Sequence, residues 1–314
     1  MQFAANKDKA VAGPHPAATE EEENMRNVTI ENVTDVVIGS LGKNAEISPR
    51  QREIMEALLR HLHGFCKDVN LTHAEFLAAC DYLGRAGAVC SDKRQEFILL
   101  GDILGVEVLV DMLSNPIAGN ETISTVLGPF FRENAPVMPK GASTAQKDFD
   151  TQETVFVEGY VRDTEGNPIA GAIIDVWEDA PNGLYENHDP DQPDYNLRGR
   201  FETDADGHYA YRAIRPVPYP IPGDETAGEL IRYMGHHCMR PGHIHVMITC
   251  DGYRPLISQI YDSESPHLDD DSVFAVKEDL IGSFQKAPEG ADTDLTLRFD
   301  FTLPRVDAAR MAAE

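Results

Sequence analysis

The sequence predicts an α+β protein in which an N-terminal helical domain is followed by an antiparallel β-sandwich. Up to about residue 120, apolar residues recur every three or four positions, which is the spacing of a helix buried on one side. After Pro129, apolar and polar residues alternate instead, as in a strand with one buried face. Short turns rich in Gly, Asp, Asn and Pro separate the alternating runs, and this pattern favours a sandwich.

Composition and pattern divide the chain into three predicted parts. Residues 1–28 are rich in Ala, Pro and charge, with consecutive glutamates at 20–23, and are predicted to form a flexible acidic tail. Residues 29–125 are predicted to form the helical domain, and residues 126–314 the sandwich.

Three helices are expected in the helical domain. Residues 48–51 form a capping box with Pro49 at the first helical position, and residues 72–75 form a second capping box. A third helix is predicted over residues 97–113, where apolar residues recur at helical spacing.

Five short strands are predicted in the sandwich. Each is an apolar or alternating run next to a turn sequence such as Asp-Ala-Asp-Gly at 204–207. The predicted strands cover residues 155–161, 172–177, 208–213, 243–249 and 295–302.

Charge and cysteine content exclude several classes of protein. The chain has 53 acidic and 27 basic residues and a formal net charge of −26, which disfavours binding to nucleic acid and to anionic membranes. Its five cysteines include no Cys-x-x-Cys pair, which argues against a disulfide framework and a zinc ribbon. No apolar run approaches the roughly 18 residues of a membrane span, so we expect a cytoplasmic protein without membrane insertion.

The strand at 243–249 carries the main functional signal. Side chains alternate between the two faces of a strand, so His243, His245 and Met247 share one face. Ile244, Val246 and Ile248 share the other face, which is expected to be core. Two neighbouring imidazoles on one face provide half of a metal site.

The residues alone leave the remaining ligands open. A carboxylate would make a ferrous site with two histidines, whereas His243 and His245 could also hold zinc or copper in a non-catalytic binding sandwich. Tyr185 and Tyr219 are further candidates, the second within a proline-rich loop that restricts its movement. No His-Glu-x-x-His motif is present, which argues against a zinc protease.

The order of these motifs resembles the intradiol ring-cleaving dioxygenases. The pattern comprises Trp177 followed eight residues later by Tyr185, then Tyr219 in its proline-rich loop, then Arg-Pro-x-His-Ile-His from Arg240, and finally Gln-Ile from Gln259. The resemblance extends from about residue 30 to about residue 305 and includes the helical unit that catechol-type members carry. It implies a helical domain that mediates a homodimer, with phospholipid enclosed between the subunits.

The resemblance also implies one non-haem Fe(III) per subunit, bound by Tyr185, Tyr219, His243 and His245. A phenol with a pKa of about 10 becomes a ligand at neutral pH only beside a strong Lewis acid, and ferric iron is one. Tyr219, Arg240 and Gln259 would be the catalytic residues. Tyr219 would be displaced by the substrate and take up a proton, and Arg240 would stabilise negative charge on the ring.

A second resemblance concerns the substrate. Residues 122–130 are similar to the corresponding segment of hydroxyquinol 1,2-dioxygenases, and Asp102 matches a position that would accept a hydrogen bond from a third ring hydroxyl. Dioxygen would cleave hydroxyquinol to 3-hydroxy-cis,cis-muconate, which tautomerises to maleylacetate. Catechol or a substituted catechol is the alternative substrate. One departure is the segment Phe131-Arg132-Glu133, because hydroxyquinol enzymes often carry a histidine after Gly-Pro-Phe. The implied pocket residues are Leu99, Asp102, Val126, Leu127, Gly128, Pro129, Phe130, Ile221, Pro222, Arg240 and Val273.

Overall fold

The computed structural model describes residues 27–91, 94–147 and 152–306. Nearly all of the predicted tail at 1–28 therefore lies outside the described residues. The chain separates into two compact units, residues 1–84 and residues 85–314. The limits of 29–125 and 126–314 stay a prediction.

The first unit contains helices α1 (Val33–Gly39) and α2 (Pro49–Asp68) and most of α3 (His73–Val89). Both predicted capping boxes are present. Gln51 N–H donates to Ser48 Oγ over 3.2 Å and Ser48 N–H donates to Gln51 Oε1 over 2.8 Å. These reciprocal bonds satisfy backbone N–H groups of the first turn, which have no acceptor within the helix, and they fix where the helix begins. No described helix is long and apolar enough to cross a bilayer.

The prediction of one continuous helix over residues 97–113 is wrong. The structure has two helices, α4 (Glu96–Ile103) and α5 (Val106–Ser114), joined at Gly105. Gly105 has a φ of 68°, a left-handed conformation that ends α4 and turns the chain before α5 starts. A further helix, α6 (Glu225–Met234), lies in a part of the chain where no helix was predicted.

Twelve strands form the rest of the second unit among the described residues, most of them in two five-stranded sheets. In the first sheet, strands β10, β11, β1 and β12 lie in that order, and β4 also pairs with β1. The second sheet has the order β3-β2-β7-β8-β9. Strands β5 and β6 form a separate two-stranded ladder. The strands are β1 (Thr154–Asp163), β2 (Ile173–Trp177), β3 (Arg198–Glu202), β4 (His208–Ile214), β5 (Tyr219–Pro220), β6 (Met239–Arg240), β7 (His243–Thr249), β8 (Leu256–Asp262), β9 (Ile281–Gly282), β10 (Gln285–Lys286), β11 (Leu295–Arg298) and β12 (Phe301–Leu303).

The sandwich is confirmed, but its pairing is mixed rather than purely antiparallel. Strand β1 runs parallel to β11 and β12 and antiparallel to β4, and β8 runs parallel to β9. A parallel neighbour requires a long crossover instead of a hairpin. The chain between β1 and β11 builds the entire second sheet and provides that crossover.

The core lies between the two sheets, and β7 faces it as predicted. Ile244, Val246 and Ile248 are at most 1% exposed and belong to one apolar cluster with residues of both sheets, including Val157 and Leu297. His243 and His245 therefore point away from this core.

The predicted strand at 295–302 is interrupted at Phe299. Strand β1 pairs with β11 as far as Glu158 and with β12 from Val161 onwards. Between these two ladders the carbonyl oxygen of Phe299 passes directly over Gly159, where a Cβ atom would lie only 1.8 Å from it. The same oxygen accepts a hydrogen bond from Tyr209 Oη over 2.7 Å. A residue without a side chain is thus required at 159.

We expect Gly159→Ala to destabilise the sandwich by about 1–3 kcal/mol, because the backbone around Phe299 must shift to admit the methyl group. Thermal denaturation followed by circular dichroism measures the loss. Gly101→Ala in α4 is the matched control, since nothing lies within 4 Å of its added Cβ. Alanine favours the helix interior there, so the control should be unchanged or slightly more stable. Equal stability of Gly159→Ala and wild type would contradict the prediction.

Candidate metal centre and active-site pocket

One row of side chains crosses the second sheet at the level of His245. Strand register places Arg198 opposite Trp177, Trp177 opposite His245, and His245 opposite Gln259. Directly paired residues project from the same face of a sheet, so all four turn away from the apolar core. The Trp177 ring stacks on the His245 ring with 4.8 Å between centroids and 8° between planes. This contact holds the imidazole plane in place.

The two histidines present their Nε2 atoms to one another at a distance of 3.1 Å. His243 Nδ1 lies 2.7 Å from the carbonyl oxygen of Pro241, which can only accept, so Nδ1 carries the ring proton and Nε2 keeps a lone pair. Burial, together with the charge of Arg240, lowers the pKa of His243 well below its usual value. Burial and the neighbouring His243 do the same to the pKa of His245. Both imidazoles are therefore neutral, as metal ligands must be.

Both tyrosines predicted as ligands lie beside this pair. Tyr219, on β5, is paired directly with Arg240 on β6, and its ring centroid is 5.5 Å from that of His243. Tyr185 lies 5.8 Å from Tyr219 and 6.4 Å from His245 by ring centroids. Its buried hydroxyl has no hydrogen-bond partner among the described residues. Burial raises the pKa of both phenols, so neither ionises readily without a nearby cation.

Arg240 is the centre of a buried hydrogen-bond network. Its guanidinium donates to Asp271 Oδ1 over 3.0 Å, to Gln259 Oε1 over 3.0 Å and to Tyr261 Oη over 3.2 Å. It also donates to Nε2 of His243 over 3.1 Å, the same lone pair that a metal would take. The side chains of Arg240 and Asp271 are 4% and 2% exposed, so the cation is held and compensated away from water.

Gln259 contacts one histidine of the pair and the pocket backbone. Its amide nitrogen donates to the carbonyl oxygen of Val126 over 3.0 Å and lies 3.2 Å from His245 Nδ1. The side chain is fully buried behind His245 and is not among the residues that line the cavity. Gln259 therefore contacts Arg240 and His245 without lining the cavity itself.

A narrow cavity of about 20 Å³ opens onto the centre. Ten of the eleven residues predicted for the substrate pocket line it, and Leu127 does not. Gly128, with a φ of 73°, brings the backbone so close that a Cβ atom there would lie 3.2 Å from Cε1 of His245. The cavity is lined by Leu99, Asp102, Val126, Gly128, Pro129, Phe130, Tyr219, Ile221, Pro222, Arg240, His245 and Val273.

Sequence reasoning missed two members of the network. Tyr261 stands two residues after Gln259 on β8 and so shares its face, a signal that alternation along the strand does contain. Asp271 lies in a loop beyond β8, in an acidic stretch at 269–271 whose composition predicts an exposed surface segment. No local pattern distinguishes the one buried acid in that stretch from its neighbours.

Among the described residues, no carboxylate or thiol forms a three-membered ligand group with His243 and His245. This disfavours a site with two histidines and one carboxylate and favours the tyrosines. A separate group, His237, His267 and Asp270, does bring its ligand atoms within 4.8 Å of one another. There the Met239 N–H donates to Nδ1 of His237, so the proton of the neutral ring stands on Nε2, 2.9 Å from Asp270 Oδ2. His237 and His267 both contact the exposed Asp270, so these three side chains already satisfy one another.

Known proteins share both parts of the chain. Residues 126–305 match the family described as Dioxygenase, and residues 48–122 match the family described as Catechol dioxygenase N terminus. The chain is 42% identical over 272 residues to the catechol 1,2-dioxygenase of Candida albicans, covering 86% of this chain and 89% of that protein. It is also 42% identical over 242 residues to a hydroxyquinol 1,2-dioxygenase of a Rhizobium species, covering 77% and 81%.

Solved structures agree with these matches. The hydroxyquinol 1,2-dioxygenase of Pseudomonas putida superposes with a TM-score of 0.82 at 38% identity, covering 88% of this chain and 99% of that one. The catechol 1,2-dioxygenase of Pseudomonas arvilla gives a TM-score of 0.76 at 29% identity, covering 91% and 97%. Sequence, fold and the arrangement of the site lead to the same conclusion: the chain belongs to the family of intradiol ring-cleavage dioxygenases.

Proposed function

We propose that this protein cleaves hydroxyquinol between its two adjacent hydroxylated carbons, with dioxygen as the second substrate. The observation that carries the proposal is that one cavity is lined both by Tyr219 and His245 and by the buried carboxyl of Asp102. Its walls are otherwise mainly apolar, as in Leu99 and Val273, and suit an aromatic ring. Family membership favours an enzyme over the non-catalytic metal-binding sandwich.

We propose that one ferric ion per subunit is held by Tyr185, Tyr219, His243 and His245. The donor set fits it, because two neutral imidazoles face one another and a buried phenol has no other partner among the described residues. Two hard anionic oxygens also stabilise Fe(III) relative to Fe(II). When bound, the ion would chelate both adjacent hydroxyl oxygens of the substrate and make the ring electron-rich towards dioxygen.

The residues around the ion would handle protons and charge. Tyr219 lines the cavity, whereas Tyr185 does not, so Tyr219 is the phenol placed to take a proton from an entering hydroxyl. Arg240 lines the same cavity and keeps its charge, because Asp271 binds it from behind. Its position suits the stabilisation of negative charge on the ring. Gln259 would fix the orientations of Arg240 and His245.

We expect Tyr185→Phe and Tyr219→Phe each to change the visible absorption that tyrosinate-to-iron charge transfer gives, because each removes one of the two phenolates. Iron content by elemental analysis and the absorption spectrum of the purified protein measure this. Tyr195→Phe is the matched control, since the Tyr195 hydroxyl donates to the carbonyl oxygen of Glu133 and the residue does not line the cavity. Absence of iron from active wild-type protein, or an unchanged band in both variants, would refute the ligand assignment.

Asp102 provides the basis for choosing hydroxyquinol. Its side chain is 4% exposed, and burial together with the neighbouring carboxyl of Glu107 raises its pKa to about 9. A carboxyl that is neutral at pH 7 can both donate to and accept from a hydroxyl. Asp102 Oδ1 is buried and accepts no hydrogen bond from the described residues, so a third ring hydroxyl could donate one to it.

Catechol remains the alternative substrate, and sequence identity does not choose between the two. The relatives from Candida albicans and the Rhizobium species bear different substrate names at the same identity of 42%. Selection must therefore come from individual pocket residues. Asp102 is the buried ionisable group of the cavity that lies away from the ligand set, which makes it the residue to test.

Asp102→Ala is expected to lower kcat/KM for hydroxyquinol relative to catechol by about 10- to 100-fold, the value of one buried hydrogen bond. Oxygen uptake with each diol measures the ratio. Val273→Ala serves as the control, because it enlarges an apolar wall of the same cavity and should affect the two substrates similarly. Equal loss on both diols in Asp102→Ala would remove the argument for hydroxyquinol.

We further propose that the helices form a homodimer with phospholipid enclosed at the interface. In α2 the apolar stripe of Ile54, Leu58, Leu62 and Phe65 is 45–53% exposed. No residue of α2 is buried in the single chain. Such a continuous apolar surface on a helix requires a cover, and a second copy of the same surface is self-complementary. The cytoplasmic location stays a prediction.

Replacing Leu62 by Glu should shift the protein from dimer to monomer, because a charge in the contact would be desolvated. Sedimentation velocity measures the change, and organic extraction followed by mass spectrometry shows whether bound phospholipid is lost with it. Glu53→Gln, at an exposed residue paired only with Arg50 in the described contacts, is the control and should remain dimeric. A wild-type protein that sediments as a monomer would contradict the proposal.

A further inference from the structure

The segment after Tyr185 contains a buried ion pair that the proposed reaction does not use. Arg198 Nε donates to Glu186 Oε2 over 2.6 Å, and both side chains are only 1% exposed. Glu186 is the residue directly after Tyr185 in the chain, at the start of the short 3-10 helix Glu186–His188. Two fully desolvated charges are costly to bury, and an apolar pair would often serve stability as well.

The cation of this pair lies against the ring of Tyr185. The guanidinium carbon of Arg198 is 5.6 Å from the ring centroid, within the range at which a cation interacts with an aromatic ring. Arg198 Nη2 is buried without a hydrogen-bond partner among the described residues. The guanidinium therefore has an N–H group without an acceptor. It lies next to the ring of Tyr185, whose hydroxyl has no hydrogen-bond partner among the described residues either.

Strand pairing fixes the position of Arg198. It is the first residue of β3 and stands opposite Trp177, which in turn stands opposite His245 and stacks on it. The cation thus belongs to the same row of the sheet as one of the histidines.

Glu186 is also held from a second side. Arg132 contacts its other carboxylate oxygen and donates to Asp194 over 2.8 Å. The guanidinium of Arg132 lies 4.1 Å above the Tyr195 ring. Arg132 belongs to the segment Phe131-Arg132-Glu133, where this chain departs from the hydroxyquinol pattern, and in the structure it anchors the turn that carries Tyr185.

We infer that Arg198 and Glu186 form a positioning pair that orients Tyr185 and sets the electrostatic field at its phenolate. This inference depends on the proposed role of Tyr185 as an iron ligand. A cation beside a phenolate lowers the energy of the phenolate electrons that are shared with the metal. More energy is then needed to transfer one of these electrons to iron, so the charge-transfer band lies at shorter wavelength. An anion at the same distance has the opposite effect.

The test uses the charge-transfer band of the iron-loaded enzyme and three variants. Arg198→Met removes the cation and should shift the band to longer wavelength, whereas Glu186→Gln removes the anion and should shift it to shorter wavelength. Arg198→Lys keeps the charge and should stay closest to wild type. Opposite shifts from the two partners are not expected of residues that act through packing alone, because loss of packing disturbs the site in the same sense for both.

Folding is controlled separately, since a single substitution leaves one buried charge partly uncompensated. The double variant Arg198→Met with Glu186→Gln removes both charges and should fold with a band between those of the single variants. Unshifted bands in iron-replete Arg198→Met, or in Glu186→Gln if the first does not fold, would overturn the inference and leave the proposed function intact. A band that Tyr185→Phe does not alter would overturn the ligand assignment and this inference with it.

Discussion

The register of β7 between β2 and β8 is the constraint on which the rest of the site depends. It places Ile244 and Val246 in the core and puts His243 and His245 on the opposite face, with their Nε2 atoms 3.1 Å apart. A shift by one residue would exchange the two faces, burying imidazoles in an apolar core and exposing the aliphatic side chains. The core therefore holds the histidines in place even though it does not touch them.

Much of this could be predicted because it is local. Alternation along β7 identified the histidine face, and two capping boxes identified the starts of two helices, since both signals lie within a few residues of chain. The tyrosines and most of the pocket came from the resemblance, and the structure brings Tyr219 and ten of the eleven pocket residues around one cavity, with Tyr185 beside Tyr219.

The features that were missed depend on contacts between distant segments. Asp271 gains its role only when its loop folds back onto Arg240, and nothing in the acidic run around it shows this. The parallel pairing of β1 depends on where the crossover ends. Gly105 was read as part of a helix because apolar spacing continues across it, yet its left-handed backbone separates α4 from α5. Hydrophobic periodicity shows which face of a helix is buried, but it does not show where the helix is interrupted.

The passage of Phe299 over Gly159 has a consequence for biosynthesis. Strand β1 is made early, but two of its three partners, β11 and β12, are the last strands to leave the ribosome. Until then β1 has one neighbour, β4, and its other edge offers free N–H and C=O groups to any passing chain. Closing so long a loop is slow and entropically unfavourable. During that interval, aggregation through this edge would compete with completion of the sheet.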